Sequence, residues 1–157
     1  MGVLHRARIS LQIDIGYGDI ITPEPEKIEF PTLLDAPPPK LLAYPRYTMI
    51  AEKLEAIVRL GMINSRMKDF YDLWLLRKLF TYDGKTLRDA VNNTFNRRST
   101  QIPRGVPVAF TDEFRKDPQK QVQWRAFVRK SEPEILLGNL DTTIGEIVTF
   151  LMPVLNA

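Results

Sequence analysis

The segment YPRYTMIAEKLEAIVRLGMINSRMKDFYDLW, residues 44–74, predicts two helices joined by a short turn. Advancing 100° per residue along the first helix places Glu52, Glu55 and Arg59 opposite an apolar arc. That arc consists of Met49, Ile50, Leu54, Ile57 and Val58. Lys53 falls inside the arc, where burial of an unpaired ammonium would cost several kcal/mol. The sequence therefore predicts a partner for Lys53.

The second helix carries an acidic counterpart. Apolar residues occur all around it between positions 66 and 80, which predicts a largely buried helix. Asp69 and Asp72 lie one turn apart on one of its faces. Two interpretations stay open: a structural ion pair between Lys53 or Lys68 and one of these aspartates, or a polar cleft whose floor they line.

Composition places the chain among globular proteins of one domain. Its 157 residues are 44% hydrophobic and 26% charged, and no apolar run approaches the roughly 18 residues of a membrane span. The chain has no cysteine, which excludes disulfides, thiolate metal sites and cysteine nucleophiles. Charges follow the first methionine closely, so we expect no signal peptide, no membrane partner and a cytoplasmic location.

Positive charge concentrates between residues 97 and 130, where nine lysines and arginines stand against three acids. Aromatic residues are interleaved with them: Phe95, Phe110, Phe114, Trp124 and Phe127. A basic surface with aromatic planes suits phosphate backbones and unstacked bases, which makes Arg97, Arg98, Arg125 and Arg129 candidate RNA contacts. The other interpretation is a solvated face over core aromatics.

The amino-terminal part predicts a small sheet. Residues 8–15 alternate apolar and polar side chains, which is typical of a strand with one buried face. Asp14 projects from its polar face just before Gly16 and Gly18, where it could serve as a metal ligand, a solvent-facing side chain or a turn-stabilising residue. Seven of the twelve prolines follow between positions 22 and 45, so we expect irregular structure there with a brief strand at residues 27–30 and a rigid spacer at residues 37–39.

Helices are predicted from residue 44 onward. The first is expected to be capped by Thr48 and to end at Gly61, and the second to reach about Tyr82. Later helices are expected at residues 87–96 and 118–130, the latter capped by Asp117, with a final helix capped by Asp141. The fold class is α+β: a small antiparallel or mixed sheet followed by about five helices. We expect two parts, a sheet remnant at 1–43 and a helical domain at 44–157.

Four stretches resemble the AbiEii/AbiGii abortive-infection toxin family of nucleotidyltransferases, within the DNA polymerase β-like superfamily. They are QIDIGYGDIITP at 12–23, residues 44–76, NRRSTQIP at 96–103 and QWRAFVRK at 123–130. The resemblance implies a toxin that transfers a nucleotide from an NTP to an RNA acceptor, in some members a tRNA end. It also implies Mg²⁺ as cofactor and a cognate antitoxin as partner.

The resemblance assigns roles residue by residue. Asp14 matches a strand carboxylate that helps to bind the divalent metal, and Asp69 matches a family aspartate at the active site. Lys53 matches a helical lysine that would reach the phosphates of the nucleotide, while Arg66 and Lys68 would assist in nucleotide binding. Asp14, Lys53 and Asp69 are thus the catalytic candidates.

One departure from the family pattern limits what the resemblance implies. The first family motif, a Gly-Ser turn followed by two aspartates, would precede Asp14, yet the chain has no Gly-Ser pair and only thirteen residues come before Asp14. We therefore expect the C-terminal part of such an enzyme, inactive alone because the metals would lack ligands. The alternatives are an RNA- or antitoxin-binding module without catalysis, or a decayed remnant that forms homo-oligomers through an exposed sheet edge.

Overall fold

A computed structural model describes residues 2–4, 7–10, 12–13, 15, 18–33, 35–133, 135 and 138–156. Its strands are β1 (Gly2–Leu4), β2 (Ala7–Ile9), β3 (Glu26–Glu29) and β4 (Lys40–Ala43). Its helices are α1 (Arg46–Leu60), α2 (Met67–Leu79), α3 (Gly84–Arg97), α4 (Asp112–Lys116), α5 (Pro118–Ser131) and α6 (Leu140–Leu155). The chain is α+β, as predicted.

The strands form two separate antiparallel hairpins, β1 with β2 and β3 with β4. The strand predicted at residues 8–15 is wrong beyond residue 9, since Ser10, Gln12, Ile13 and Ile15 lie outside regular structure. The physical reason is that alternation gives a stable strand only where something covers its apolar face. Ile13 is 80% exposed and Ile15 is 70% exposed, so neither is covered. Asp14, the predicted metal ligand, lies outside the described residues.

The second hairpin agrees with the brief strand expected at residues 27–30, displaced by one residue. Its partner β4 was not predicted: the three prolines at 37–39 lead into a strand, which then leads into the first helix. Pairing aligns Ile28 with Leu41 and Lys27 with Leu42. A four-residue strand beside a proline run carries too little periodicity to be recognised from sequence.

The hydrophobic core lies among the helices. Helix α1 packs against α2 and α3, and α6 packs against α2. The largest side chains fully buried there include Phe70, Phe95, Phe110, Phe114, Leu54, Leu73 and Ile147. Phe95, Phe110, Phe114 and Trp124 are therefore core residues, and Phe127 is half-buried against them, so these aromatics do not offer exposed planes to bases. Within the described residues, no helix has both the length and the apolar content to cross a bilayer.

Two of the predicted helix ends are confirmed. Asp117 caps α5 by accepting a hydrogen bond from the backbone N–H of Lys120, with Pro118 at the first helical position. Gly61 ends α1 with a φ of 49°, a left-handed conformation that favours glycine.

Two predicted caps are wrong, because each side chain has a stronger tertiary partner. Helix α1 begins before Thr48, whose hydroxyl instead donates to Thr22 O (2.8 Å) and accepts from Thr22 N (2.9 Å). Asp141 pairs with Arg115 at 2.6 Å, and Asn139 caps α6 by accepting from the N–H of Thr142. Helix α2 also ends at Leu79, short of Tyr82.

Candidate functional site

Lys53 of α1 meets both aspartates of α2. Its Nζ lies 2.6 Å from Asp72 Oδ2 and 3.2 Å from Asp69 Oδ1. The Lys53 side chain is 19% exposed, and the two carboxylates are more deeply buried still. The structural ion pair expected from the sequence is therefore present, and both aspartates take part in it.

A second layer of cations surrounds the aspartates. Lys68 Nζ donates to both oxygens of Asp72, at 2.7 and 2.8 Å. Arg66 Nε lies 2.8 Å from Asp69 Oδ2, but its N–H is not directed at that oxygen. Asp69 Oδ2 is buried and has no hydrogen-bond partner among the described residues. A buried carboxylate oxygen in this state can accept a bond from a ligand.

The turn between α1 and α2 fixes where these groups lie. After Gly61 the chain makes one turn of 3₁₀ helix, and Asn64 Oδ1 then accepts from the backbone N–H of Arg66 at 2.8 Å. The buried Lys120 of α5 donates its Nζ to Asn64 O at 2.8 Å. Lys120 therefore links α5 to the turn before α2, and this contact helps to fix the positions of Arg66 and Asp69.

These residues border a cleft of about 310 Å³. Its lining consists of Met49, Glu52, Lys53, Ala56, Arg66, Asp69 and Arg98. Of the predicted nucleotide-site residues, the structure brings Lys53, Arg66 and Asp69 together in this lining, and Lys68 joins them through Asp72. The sequence left an ion pair and a polar cleft as alternatives. The structure contains both at one location, because the ion-paired Lys53 and Asp69 also line the cleft.

Arg98 belongs to this cleft, although the sequence grouped it with the basic region. Its NH1 donates to Glu55 Oε2 at 3.0 Å, and its NH2 lies 3.1 Å from Glu52 Oε1. Burial alone would lower the pKa of Arg98, but hydrogen bonding with Glu55 and the charges of Glu52, Glu55 and Asp19 raise it above its ordinary value. The Arg98 side chain therefore stays positively charged in the lining of the cleft.

Glu55 is the residue that sequence reasoning missed. Helical periodicity put it opposite the apolar arc, yet its side chain is fully buried. Besides Arg98, it accepts from Thr100 Oγ1 at 2.7 Å and Arg59 Nε at 2.9 Å. Burial alone would raise the pKa of the Glu55 carboxyl, but these three hydrogen bonds outweigh it and hold the pKa below its ordinary value. No local signal predicts this, because Arg98 is 43 residues further along the chain.

Residues 18–22, which follow the predicted strand, contact the arginines at the end of α3 beside the cleft. Asp19 Oδ1 lies 3.5 Å from Arg98 NH2, and Arg97 donates its Nε to Gly18 O. Thr22, held by Thr48, also accepts from Asn93 Nδ2 at 2.8 Å. Residues 18–22, which follow Asp14 closely in sequence, therefore lie on α1 and α3 beside the cleft.

The remaining basic candidates lie elsewhere. Arg125 and Arg129 are exposed on α5 and border a separate cavity of about 350 Å³ together with Trp124 and Val128. Within the described part of the chain neither arginine has an ion-pair or hydrogen-bond partner. The structure thus divides the predicted RNA contacts, with Arg97 and Arg98 bonded beside the cleft and Arg125 and Arg129 unpaired on α5.

A divalent metal in this region would depend on carboxylate ligands. The described residues contain no group of three or more histidine, cysteine or acidic side chains that could hold an ion. Asp69 Oδ2 is one oxygen without a hydrogen-bond partner, and Arg66 Nε already lies 2.8 Å from it, whereas Mg²⁺ takes six ligands, usually one or two carboxylates with phosphates and waters. The described residues therefore do not form a metal site by themselves.

Comparison with known proteins adds one finding. The model of a family described as nucleotidyl transferase AbiEii toxin, of a type IV toxin–antitoxin system, matches residues 2–145. That range includes the cleft, α5 and the first turns of α6. Neither the curated proteins nor the solved structures contain a match to this chain.

Proposed function

This chain belongs to the AbiEii nucleotidyl transferase toxin family, and from that membership we propose that the cleft around Lys53 binds the phosphates of a nucleoside triphosphate. The observation that carries the proposal is the joint presence of Lys53 and Arg66 in one lining. Cations at fixed positions favour a polyanion, since charge-assisted hydrogen bonds to phosphate oxygens are the strong ones. Lys68 adds a further positive charge beside the lining, where it pairs with Asp72.

The size of the cleft is that of a small ligand pocket. A volume of about 310 Å³ is at the lower end of the range of roughly 300–1,000 Å³ typical of ligand pockets. We propose that it holds the triphosphate, with the base and ribose extending beyond it. Asp69 Oδ2 would then accept a hydrogen bond from a water molecule, since an ionised triphosphate carries no hydrogen-bond donor.

We further propose that the reaction is transfer of a nucleotide from the NTP to an RNA, with a tRNA end as the acceptor. Arg125 and Arg129 support this proposal, because exposed arginines on one helix, without partners among the described residues, are suited to phosphate backbones. Such substrates are cytoplasmic, which is where we propose the protein acts. A cognate antitoxin is the partner implied by the type IV toxin–antitoxin family.

We propose that the 157 residues alone do not catalyse the transfer. The sequence has no Gly-Ser pair, and so lacks the turn and paired aspartates that the family resemblance implies. We propose that Mg²⁺ and those carboxylates are needed for transfer and that Asp14 joins them. The chain's own contribution is to bind the triphosphate and to orient it through Lys53, Arg66 and Asp69.

Calorimetry tests the binding proposal. Each of the four NTPs is titrated with Mg²⁺ into the chain, into Lys53→Ala and into Lys78→Ala. Lys78 is the matched control, because it is an ion-paired lysine of α2 whose partner is Glu146 and it does not line the cleft. We expect micromolar binding that Lys53→Ala abolishes and Lys78→Ala retains. Absence of binding to all four NTPs, or equal binding by Lys53→Ala, would overturn the proposal.

A second function is favoured by α5 itself: an RNA-binding module without catalysis. Its supporting observation is that Arg125 and Arg129 are exposed and unpaired among the described residues, independently of the cleft. Salt-dependent RNA binding by a chain that binds no NTP would favour this second function over the first.

A further inference from the structure

We propose that Arg98 is a third phosphate-contacting cation of the cleft and that buried Glu55 is the residue that positions it. This inference rests on the proposed function of the cleft and extends it to two residues on opposite sides of the α1–α3 contact. The sequence alone predicts Arg98 among the candidate RNA contacts and Glu55 on the polar side of α1.

The location of Arg98 is the first argument. The arginine lines the cleft with Lys53 and Arg66, and its side chain is only 30% exposed. A long nucleic acid backbone needs cations on an accessible surface. Arg125 and Arg129 are exposed in this way, whereas Arg98 is half-buried. Because Arg98 is part of the lining, a small anion in the cleft would lie beside it.

The donors of the guanidinium are the second argument. Arginine has five N–H donors in a planar fork. Among the described residues, Arg98 makes one hydrogen bond, to Glu55, together with ion pairs to Glu52 at 3.1 Å and Asp19 at 3.5 Å. Three acceptors do not saturate five donors, so N–H groups remain for phosphate oxygens.

The charge of the lining is the third argument. Lys53, Arg66 and Arg98 contribute three positive charges, and Glu52 and Asp69 contribute two negative charges, which leaves a net charge of +1. Without Arg98 the net charge of the lining would be zero. The carboxylates of Asp72, Glu55 and Asp19, which pair with Lys53 and Arg98 from outside the lining, offset part of this charge, so Arg98 adds to the attraction of an anion together with Lys53 and Arg66.

Glu55 acts through Arg98. A fully buried carboxylate is costly unless it is paired, and Glu55 is paired three times, by Arg98, Arg59 and Thr100. Arg98 and Thr100 lie just beyond the end of α3, so Glu55 holds this end against α1 and fixes the direction of the guanidinium. A cation held in place before the ligand arrives binds with less loss of conformational freedom.

The test uses inorganic tripolyphosphate with Mg²⁺, which has the charge of the triphosphate and no base or ribose. Its affinity is measured by calorimetry for wild type and for Arg98→Gln, Arg98→Lys, Glu55→Gln and Arg59→Gln. Arg59 is the matched control, because it also bonds Glu55, at 2.9 Å, but does not line the cleft. Binding of a labelled single-stranded RNA and thermal unfolding are recorded for the same proteins.

We expect Arg98→Gln to weaken tripolyphosphate binding by about tenfold, the loss of one charge-assisted hydrogen bond of roughly 1.4 kcal/mol. Arg98→Lys should recover part of the affinity, and it keeps a cation beside Glu55 so that folding is preserved. Glu55→Gln should weaken binding to a smaller extent, Arg59→Gln should bind as wild type does, and RNA affinity should be the same for Arg98→Gln and wild type.

Equal tripolyphosphate affinity of wild type and Arg98→Gln would overturn the inference and leave the proposed function standing if Lys53→Ala still abolishes binding. An equal loss with Arg59→Gln would also overturn it, since the effect would then come from stability and not from contact with phosphate. Wild type that binds neither NTP nor tripolyphosphate would overturn the proposed function, and the inference with it.

Discussion

Lys53 Nζ lies 2.6 Å from Asp72 Oδ2 and joins the middle of α1 to α2 through a contact that is largely shielded from solvent. The same ammonium bonds Asp69. One lysine therefore balances two carboxylates, which explains how an apolar arc can contain a charge. It also means that the group proposed to bind phosphate is the group that holds two helices together.

The first prediction concerns this ion pair. Lys53→Ala leaves Asp69 and Asp72 buried without their shared partner, and we expect the free energy of unfolding to fall by about 3–5 kcal/mol. Chemical denaturation of Lys53→Ala, Asp69→Ala and the double variant measures the coupling of the two residues. We expect a coupling energy of roughly 0.5–3 kcal/mol, whereas full additivity would contradict direct contact.

The second prediction concerns pH and Glu55. Its pKa is lowered in the folded state, so the carboxylate stabilises the fold above its ordinary pKa of 4.5, and this contribution is lost as pH falls below that value. Wild type should therefore lose more stability than Glu55→Gln between pH 7 and pH 3.5, by about 1 kcal/mol, since 1 pH unit below the ordinary pKa corresponds to at most about 1.4 kcal/mol. Urea unfolding of both proteins at the two pH values gives the difference. Equal losses would show that Glu55 is not the group responsible.

The third prediction concerns RNA binding by α5. Replacing both Arg125 and Arg129 with Glu should weaken RNA binding and reduce the slope of log affinity against log salt by about 2. The control is Lys85→Glu with Arg88→Glu, two exposed cations of α3. An equal loss in the control would mean that overall charge, and not the α5 surface, determines binding. Fluorescence anisotropy across a salt series supplies both quantities.

The fourth prediction concerns the turn that positions α2. Gly61 has φ 49° and ψ −130°, a conformation that side chains strongly disfavour, while a Cβ there would meet only Val108 at ordinary contact distance. Gly61→Ala should therefore destabilise the fold by about 1–3 kcal/mol through backbone strain alone. Gly84→Ala is the control, since a Cβ at Gly84 meets nothing within 4 Å. Thermal unfolding should show a loss for the first variant only.

Burial of opposite charges was the part of the site that the sequence could predict. A lysine within an apolar arc and two aspartates on a largely apolar helix each require a partner, and the structure pairs them. Asp117 followed by proline was equally predictable as a helix start, because both residues act locally. These predictions succeeded because the physical cause lies within a few residues of its effect.

The wrong predictions arose where the physical cause lies far away in the sequence. Thr48 and Asp141 are suitable caps by type, yet partners far away in sequence, Thr22 and Arg115, bind their side chains. Glu55 was assigned to a polar face because its partners lie after α3. In each case a tertiary contact outweighs a local preference worth about 1 kcal/mol. The division into parts at 1–43 and 44–157 stays a prediction.

The central position of α1 has a consequence for hydrogen exchange. Ile50, Ala51, Leu54 and Ile57 are fully buried, and the helix packs against both α2 and α3. Its amide protons should therefore exchange only through global unfolding, whereas those of the β3–β4 hairpin, with Leu42 69% exposed, should exchange through local opening. Lys53 and Glu55 are thus carried by the segment that stays closed longest, so their geometry persists through the fluctuations that open the hairpin.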